Sequence, residues 1–218
     1  MFKTLLYDPI FHSLIFLYQY VTFQDLGIAI ILLTFLVRLI LFPLFYKSAK
    51  NQLILQKLQP EIQKIQHDHK DNKEKQAQAM MELYKKYKVN PFSSFLIILI
   101  QLPILIALYR VFLGDFSDIN TLFLGLIDLK TRSIIIVGLA AVAQYYQGVL
   151  TLPKAEKGRE LSAPEKIGRQ MVYFGPLITI LILTSLPSAV GLYWFATAVF
   201  SIVQQIYINK TVKINGGI

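Results

Sequence analysis

The chain has 218 residues, 55% of them hydrophobic and 16% charged, with a net charge of +9 and no cysteine. It is too apolar for an ordinary soluble domain, and the lack of cysteine excludes disulfides, thiol chemistry and a lipidated cysteine. Of 22 Lys and Arg, ten fall in residues 47–91, five in 153–170 and two after Ile208, a clustering better explained by membrane topology and anionic headgroups than by DNA binding.

Residues 1–25 come first. Asp8-Pro9 predicts a helix start, with Asp8 as N-cap and Pro9 at the first helical position. The apolar, aromatic stretch that follows is about fourteen residues, too short to span comfortably, and predicts an interfacial helix on the outer face. One Lys in front and no small-residue cleavage site behind argue against a signal peptide.

Residues 26–46, LGIAIILLTFLVRLILFPLFY, are long enough to cross a bilayer as a first spanning helix. Arg38 stands at the thirteenth of these twenty-one positions. Its guanidinium cannot escape the membrane by losing a proton, and an Arg near the centre costs roughly 2.5–3.5 kcal/mol to insert. Something polar must face it: a partner, a water-filled cavity or a substrate. Thr34, four residues earlier, shares its helix face.

Residues 47–91 are the one long polar stretch. Leu55, Leu58, Ile62 and Ile65 form one apolar stripe, and Ala77, Met80, Tyr84 and Tyr87 a second, on either side of HDHKDNKE. Two amphipathic helices joined by a polar turn make a cytoplasmic helical hairpin, whose stripes bind each other, a partner helix or the membrane surface. Pro60 fits a helix start or a kink. His67-Asp68-His69 has the look of a metal tripeptide, but residues two apart do not face one another on a helix, so a solvated turn is expected.

Four more spans follow at residues 92–113, 133–152, 171–186 and 189–208. The fourth is short enough to imply local thinning or an unusual packing environment. Pro43, Pro103 and Pro176 lie inside spans and tend to kink them. The positive-inside rule puts residues 47–91, 153–170 and the tail 209–218 in the cytoplasm, with the N-terminus and the loop 114–132 outside. Polar residues within spans are few: Gln101; Gln144 and Gln147, which share a face; Thr179, Thr184 and Ser185; Thr197, Ser201, Gln204 and Gln205. They are able to line a wet interior around Arg38; the plainer alternative puts Gln204 and Gln205 at the cytoplasmic interface and makes the rest packing hydrogen bonds. Tyr193 and Trp194 fit an outer aromatic belt, and Arg110 a side chain snorkelling to the outer headgroups. No acidic residue lies within a span, so Arg38 has no internal counter-ion. No catalytic, cofactor or metal motif emerges.

Three stretches together resemble the YidC family of membrane protein insertases. They are the Arg38 span continuing into FPLFYKSAKNQLILQKLQPEIQKIQ, then KEKQAQAMMELYKKYKVNPFSSFLIILIQLPILIALYRVF, then GLYWFATAVFSIVQQIYI. The resemblance covers about residues 8–210, in the family's order and spacing. It implies an all-α membrane protein with five transmembrane helices around a hydrophilic groove, closed on the outside and open to cytoplasm and lipid. Arg38 would be the groove arginine that attracts acidic substrate tails. Gln101 would match a Gln-x-Pro pattern, Gln144 or Gln147 the third-span groove glutamine, and Trp194 the Leu-Tyr-Trp motif. Residues 47–91 would be the mobile region that receives substrate. The implied partners are nascent membrane proteins and the bilayer, with the ribosome, the Sec translocon and the signal-recognition-particle receptor as further ones; no cofactor is implied. The chain departs from the family in having no large extracytoplasmic domain, no lipobox cysteine and only ten residues after Ile208, which points to a minimal bacterial member of the plasma membrane.

Two rival readings compete. A small transporter or channel for an anionic solute would use Arg38 as its binding residue and predicts an internal repeat, of which no convincing trace is present. An assembly scaffold would dock through the hairpin and be indifferent to Arg38.

Overall fold

A computed structural model of the chain describes residue 4 and residues 7–112, 119–152 and 163–211. Among these, helix α1 runs Asp8–Tyr20. Its N-cap is Tyr7, without a side-chain cap, so Asp8 lies in the first turn rather than capping it. Pro9 still occupies the start of the helix, where its missing N–H costs nothing. Ile10, Leu14, Leu17 and Tyr18 bury one face of α1 in the main core. The helix is therefore part of the bundle as well as amphipathic. Thr22 ends it by donating its hydroxyl to Leu17 O (3.2 Å) and Asp25 O (3.0 Å). Phe23 and Gln24 then take left-handed backbone angles, φ 53° and 62°.

Asp25 caps α2, Leu26–Ile40, by accepting from Ile28 N at 2.9 Å. The expected first span reads straight through to Tyr46, but the helix breaks at Leu41 and turns by 67° into α3, Phe42–Lys57. Pro43 explains the break: it has no N–H to give and its ring crowds the carbonyl of residue 39, so it is accommodated only in a new first turn. Pro60 does the same at the start of α4, Gln59–Asp68. Helix α5, Lys73–Lys86, is capped by Asn72 Oδ1, which accepts from Lys75 N at 2.9 Å.

The two stripes of this region pack on each other. Leu58, Ile62, Leu83 and Val89 form a satellite core, with Ile54, Leu55, Ile65, Met80, Tyr84 and Tyr87 around it. Ala77 is exposed, and Leu83, outside the expected stripe, is buried in the satellite core. Tyr87 donates its hydroxyl to Glu61 Oε1 at 3.0 Å, and burial pushes the Tyr84 phenol above its ordinary value.

Helix α6 is Ser93–Phe112, with Pro103 inside. A feature absent from the all-helical expectation follows: strands β1, Leu122–Phe123, and β2, Ile127–Asp128, pair antiparallel around a left-handed turn at Leu124 and Gly125. Helix α7 is Ile134–Thr151, α8 is Ala163–Leu183 and α9 is Ser188–Thr211. The short fourth span is thus corrected: α8 begins eight residues before Met171, inside the region expected to be loop, and has 21 residues. The side chain of Arg110, Asp115 and Asp118, residues 153–162 of the cytoplasmic loop and residues 212–218 lie outside the described residues.

Helix α9 is central, packing on α7, α2 and α8, while α3 lies against α6. Gly191 lets α9 approach α7: a Cβ there would stand 2.8 Å from Ile136 Cγ2. One end of the bundle is stitched by its loops. Leu124 N donates to Asp25 Oδ2 at 2.7 Å, Asn120 N to the Tyr18 hydroxyl at 2.9 Å, and Ser188 N and Oγ both to Thr131 O at 2.8 and 2.6 Å. The Phe123 ring lies directly on Gly27, where any Cβ would overlap it.

The outside of the bundle is apolar. On α7, Ile135, Leu139, Val142, Tyr146 and Val149 point outward at helical spacing, and α8 exposes Phe174, Leu177, Leu181 and Ile182. An apolar exterior needs an apolar solvent. Among the described residues, 134–151, 166–183 and 188–211 are long and apolar enough to cross a membrane, and the bent pair α2–α3 makes a fourth if taken as one span.

Candidate functional site

A cavity of about 760 Å³ opens between α2, α3, α6, α7, α8 and α9. Arg38 is its one charged lining residue among those described. It sits in the last turn of α2, and the bend at Leu41 brings Phe45 of α3 back beneath it, with the guanidinium carbon 4.4 Å from the ring centroid. Arg38 is only 8% exposed, and no described carboxylate lies within ion-pair reach of it. A buried guanidinium facing an aromatic ring on one side retains donors for an anion on the other.

The remaining predicted site residues divide in two. Gln101, Gln144, Gln147 and Trp194 all line the cavity. Thr34 does not; it is buried and donates to Ile30 O of its own helix at 2.6 Å. Gln101 donates its amide to the Tyr193 hydroxyl across the α6–α9 contact. Gln144 Oε1 accepts twice, from the Thr179 hydroxyl and from the Trp194 indole N–H at 3.0 Å. Gly175 on α8 leaves room for this arrangement, since a Cβ there would lie 3.2 Å from Gln144 Nε2. Gln147 also lines the cavity, so both glutamines reach it: Gln144 ties the wall together, and Gln147 makes no hydrogen bond among the described residues.

The two aromatic residues near the end of the fifth span differ from a belt placement. Tyr193 is 5% exposed and lies in the cavity wall, not in an aromatic belt. Trp194 is half-buried beside Gln144. Gln204 and Gln205 are buried and line the cavity, and Gln205 donates to Asn209 Oδ1 at 2.9 Å.

A further row went unread in the sequence. Ser48, Gln52, Gln56 and Gln59 run along α3 into α4 and face the cavity. Their 4–4–3 spacing is the signal that could have found them. Gln56 donates to Thr151 O at 2.9 Å, joining α3 to the end of α7 across the cavity mouth.

The lining holds eight glutamines, Ser and Thr hydroxyls and one arginine; no described Asp, Glu, His or Lys reaches it. Such a surface binds by hydrogen bonds and one positive charge and offers no general base. Among the described residues no three His, Asp or Glu side chains gather as metal ligands, and the His67 side chain points into solvent.

Comparison with known sequences fits this geometry. The family described as 60Kd inner membrane protein matches residues 16–215. A protein of Clostridium tetani named membrane protein insertase YidC is 37% identical over 184 residues, covering 84% of this chain and 81% of that relative. Proteins of the same name from Geobacter sp. strain M21 and Wolinella succinogenes are 32% and 34% identical over 94% and 97% of this chain, but the chain spans only 37% and 38% of their length.

Proposed function

The chain belongs to the 60Kd inner membrane protein family, that of the YidC insertases, and from that premise we propose that it inserts other membrane proteins into the bilayer and helps them fold. It is a multi-pass membrane protein of the bacterial plasma membrane. In this reading five spans are formed by α2 with the start of α3, by α6, and by α7, α8 and α9. The α4–α5 hairpin and the C-terminus lie in the cytoplasm, following the lysine distribution. The stitched end lies outside.

The observation that carries the reading is Arg38: a buried cation with no carboxylate partner among the described residues, at the wall of an amide-lined cavity, in a bundle whose exterior is apolar. A hydrophilic tail crossing lipid is opposed by loss of hydration. A wet cavity reaching partway shortens the apolar path. Arg38 attracts an acidic group on the tail, because beside a protein wall the effective dielectric is well below that of bulk water. The attached apolar segment then leaves along the lipid-facing helices, and its transfer into lipid drives completion. The work is done by binding alone and calls for no nucleotide. Nascent chains and lipid are the primary partners. The ribosome, the Sec translocon and the signal-recognition-particle receptor are proposed ones, met through the lysine-rich cytoplasmic surface.

The test is reconstitution. Purified protein in liposomes is given a single-span substrate with an acidic N-tail, with protease protection as the readout. Insertion that needs both the protein and Arg38 is the expected result. Insertion indifferent to Arg38 would leave the activity but refute the role of the arginine.

A further inference from the structure

Four glutamines around the cavity have no hydrogen-bond partner among the described residues: Gln52 and Gln59 on the α3–α4 side, Gln147 on α7 and Gln204 on α9. Gln204 is buried, 7% exposed, so its amide has only the cavity to turn to. A glutamine amide offers donors and an acceptor together. A phosphate or carboxylate offers acceptors alone and would leave half of each amide unmet. An extended residue presents its own N–H and C=O to the same side, one donor and one acceptor, which a single amide is able to pair together. A helical guest gains nothing from such a wall, because its own peptide groups are already satisfied except at its ends. An extended guest has every peptide group to pair.

We infer that the cavity holds its guest by the backbone: these glutamines, on facing helices, pair the peptide groups of an unfolded, extended segment, while Arg38 takes one acidic group on it. The inference rests on the insertase reading above and states which part of the substrate the cavity reads. The consequence is breadth. Side chains other than the acidic one go unread, so tails of unrelated sequence are accepted provided they arrive unfolded.

The test acts on the substrate. A single-span protein with an acidic N-tail is assembled by ligation in two forms, one with ordinary peptide bonds and one with three tail amides replaced by esters. An ester keeps every side chain but lacks the N–H and has a weaker acceptor. The ester form is expected to insert more slowly, by roughly two- to tenfold for each ester within reach of a glutamine. Esters placed after the span should cost nothing. In a protein carrying Gln52→Met, Gln59→Met, Gln147→Met and Gln204→Met, the amide tail should fall toward the ester rate, and esters should then add no further loss. Equal insertion of ester and amide tails by the wild type would overturn the inference, whether or not the quadruple variant folds. The same ester penalty in the quadruple variant would overturn it too. A wild type that leaves even the amide tail unprotected would overturn the insertase reading itself, and this inference with it.

Discussion

Arg38→Ala is the sharpest perturbation of the proposed mechanism. A carboxylate brought to about 4 Å from the guanidinium gains on the order of 4 kcal/mol at an effective dielectric near 20. Part of that is lost because the carboxylate leaves water, so the net is about 1.5–3 kcal/mol, as for other hydrogen bonds to charged groups. The initial insertion rate of a substrate with one acidic tail residue should therefore fall roughly tenfold to 150-fold. The fold should tolerate the change. Arg38 has no carboxylate to orphan, and removing a buried charge relieves a desolvation cost that offsets the lost contact with the Phe45 ring. Arg38→Lys should keep most of the activity, since a point charge is what the tail meets. The assay is protease protection in liposomes with two substrates differing only in Asp or Asn in the tail, alongside thermal unfolding of each variant. Loss confined to the Asp substrate, with unfolding unchanged, is expected. Equal loss for both substrates, or loss accompanied by a collapsed melting transition, would refute the electrostatic account.

Three further outcomes follow from the packing. Gln144→Leu orphans the Trp194 indole N–H and the Thr179 hydroxyl, so the protein should lose about 1–3 kcal/mol per orphaned group, and the fluorescence of its one tryptophan should shift. Gly27→Ala drives a methyl into the Phe123 ring and should destabilise by about 1–3 kcal/mol, with the penalty largely relieved in a double variant with Phe123→Ala, measured as a melting cycle. Leu58→Ala removes a fully buried side chain from the satellite core and should cost that unit about 2–5 kcal/mol; limited proteolysis should then cut within residues 59–89 while cleavage of the membrane bundle stays slow.

Arg38 was legible because a permanent charge inside an apolar run has few explanations, and the wall glutamines Gln101, Gln144 and Gln147 were legible because amides in hydrocarbon are conspicuous. The same contrast hid Gln52, Gln56 and Gln59. In a lysine-rich helix a glutamine looks like ordinary wet surface, and only the bend at Leu41 folds that surface over the cavity. Pro43 announced a kink, but not its 67° size or its direction, because hydropathy reports solubility rather than direction. Thr34 failed for the opposite reason: it shares the face of Arg38, but a threonine hydroxyl is able to satisfy itself on the carbonyl one turn back, and it does. Tyr193 was misread because an aromatic residue near a span end fits the interface equally well until its hydroxyl finds Gln101. Strands of two residues carry no alternation to detect, so β1 and β2 gave no sign.

The stitched end of the bundle has an electrical consequence. In the proposed arrangement the cavity is filled with water, which conducts, so a transmembrane potential would not fall evenly across this protein; it would drop over whatever stays dry. That remainder is the plug in which Asp25 ties down Leu124, Tyr18 holds Asn120 and Thr131 takes both donors of Ser188. In that arrangement the plug would be at once the insulation that keeps ions from leaking and the place where the field is steepest. In the same arrangement an anionic group leaving Arg38 outward would cross that field, where moving one charge through 100 mV is worth about 2.3 kcal/mol.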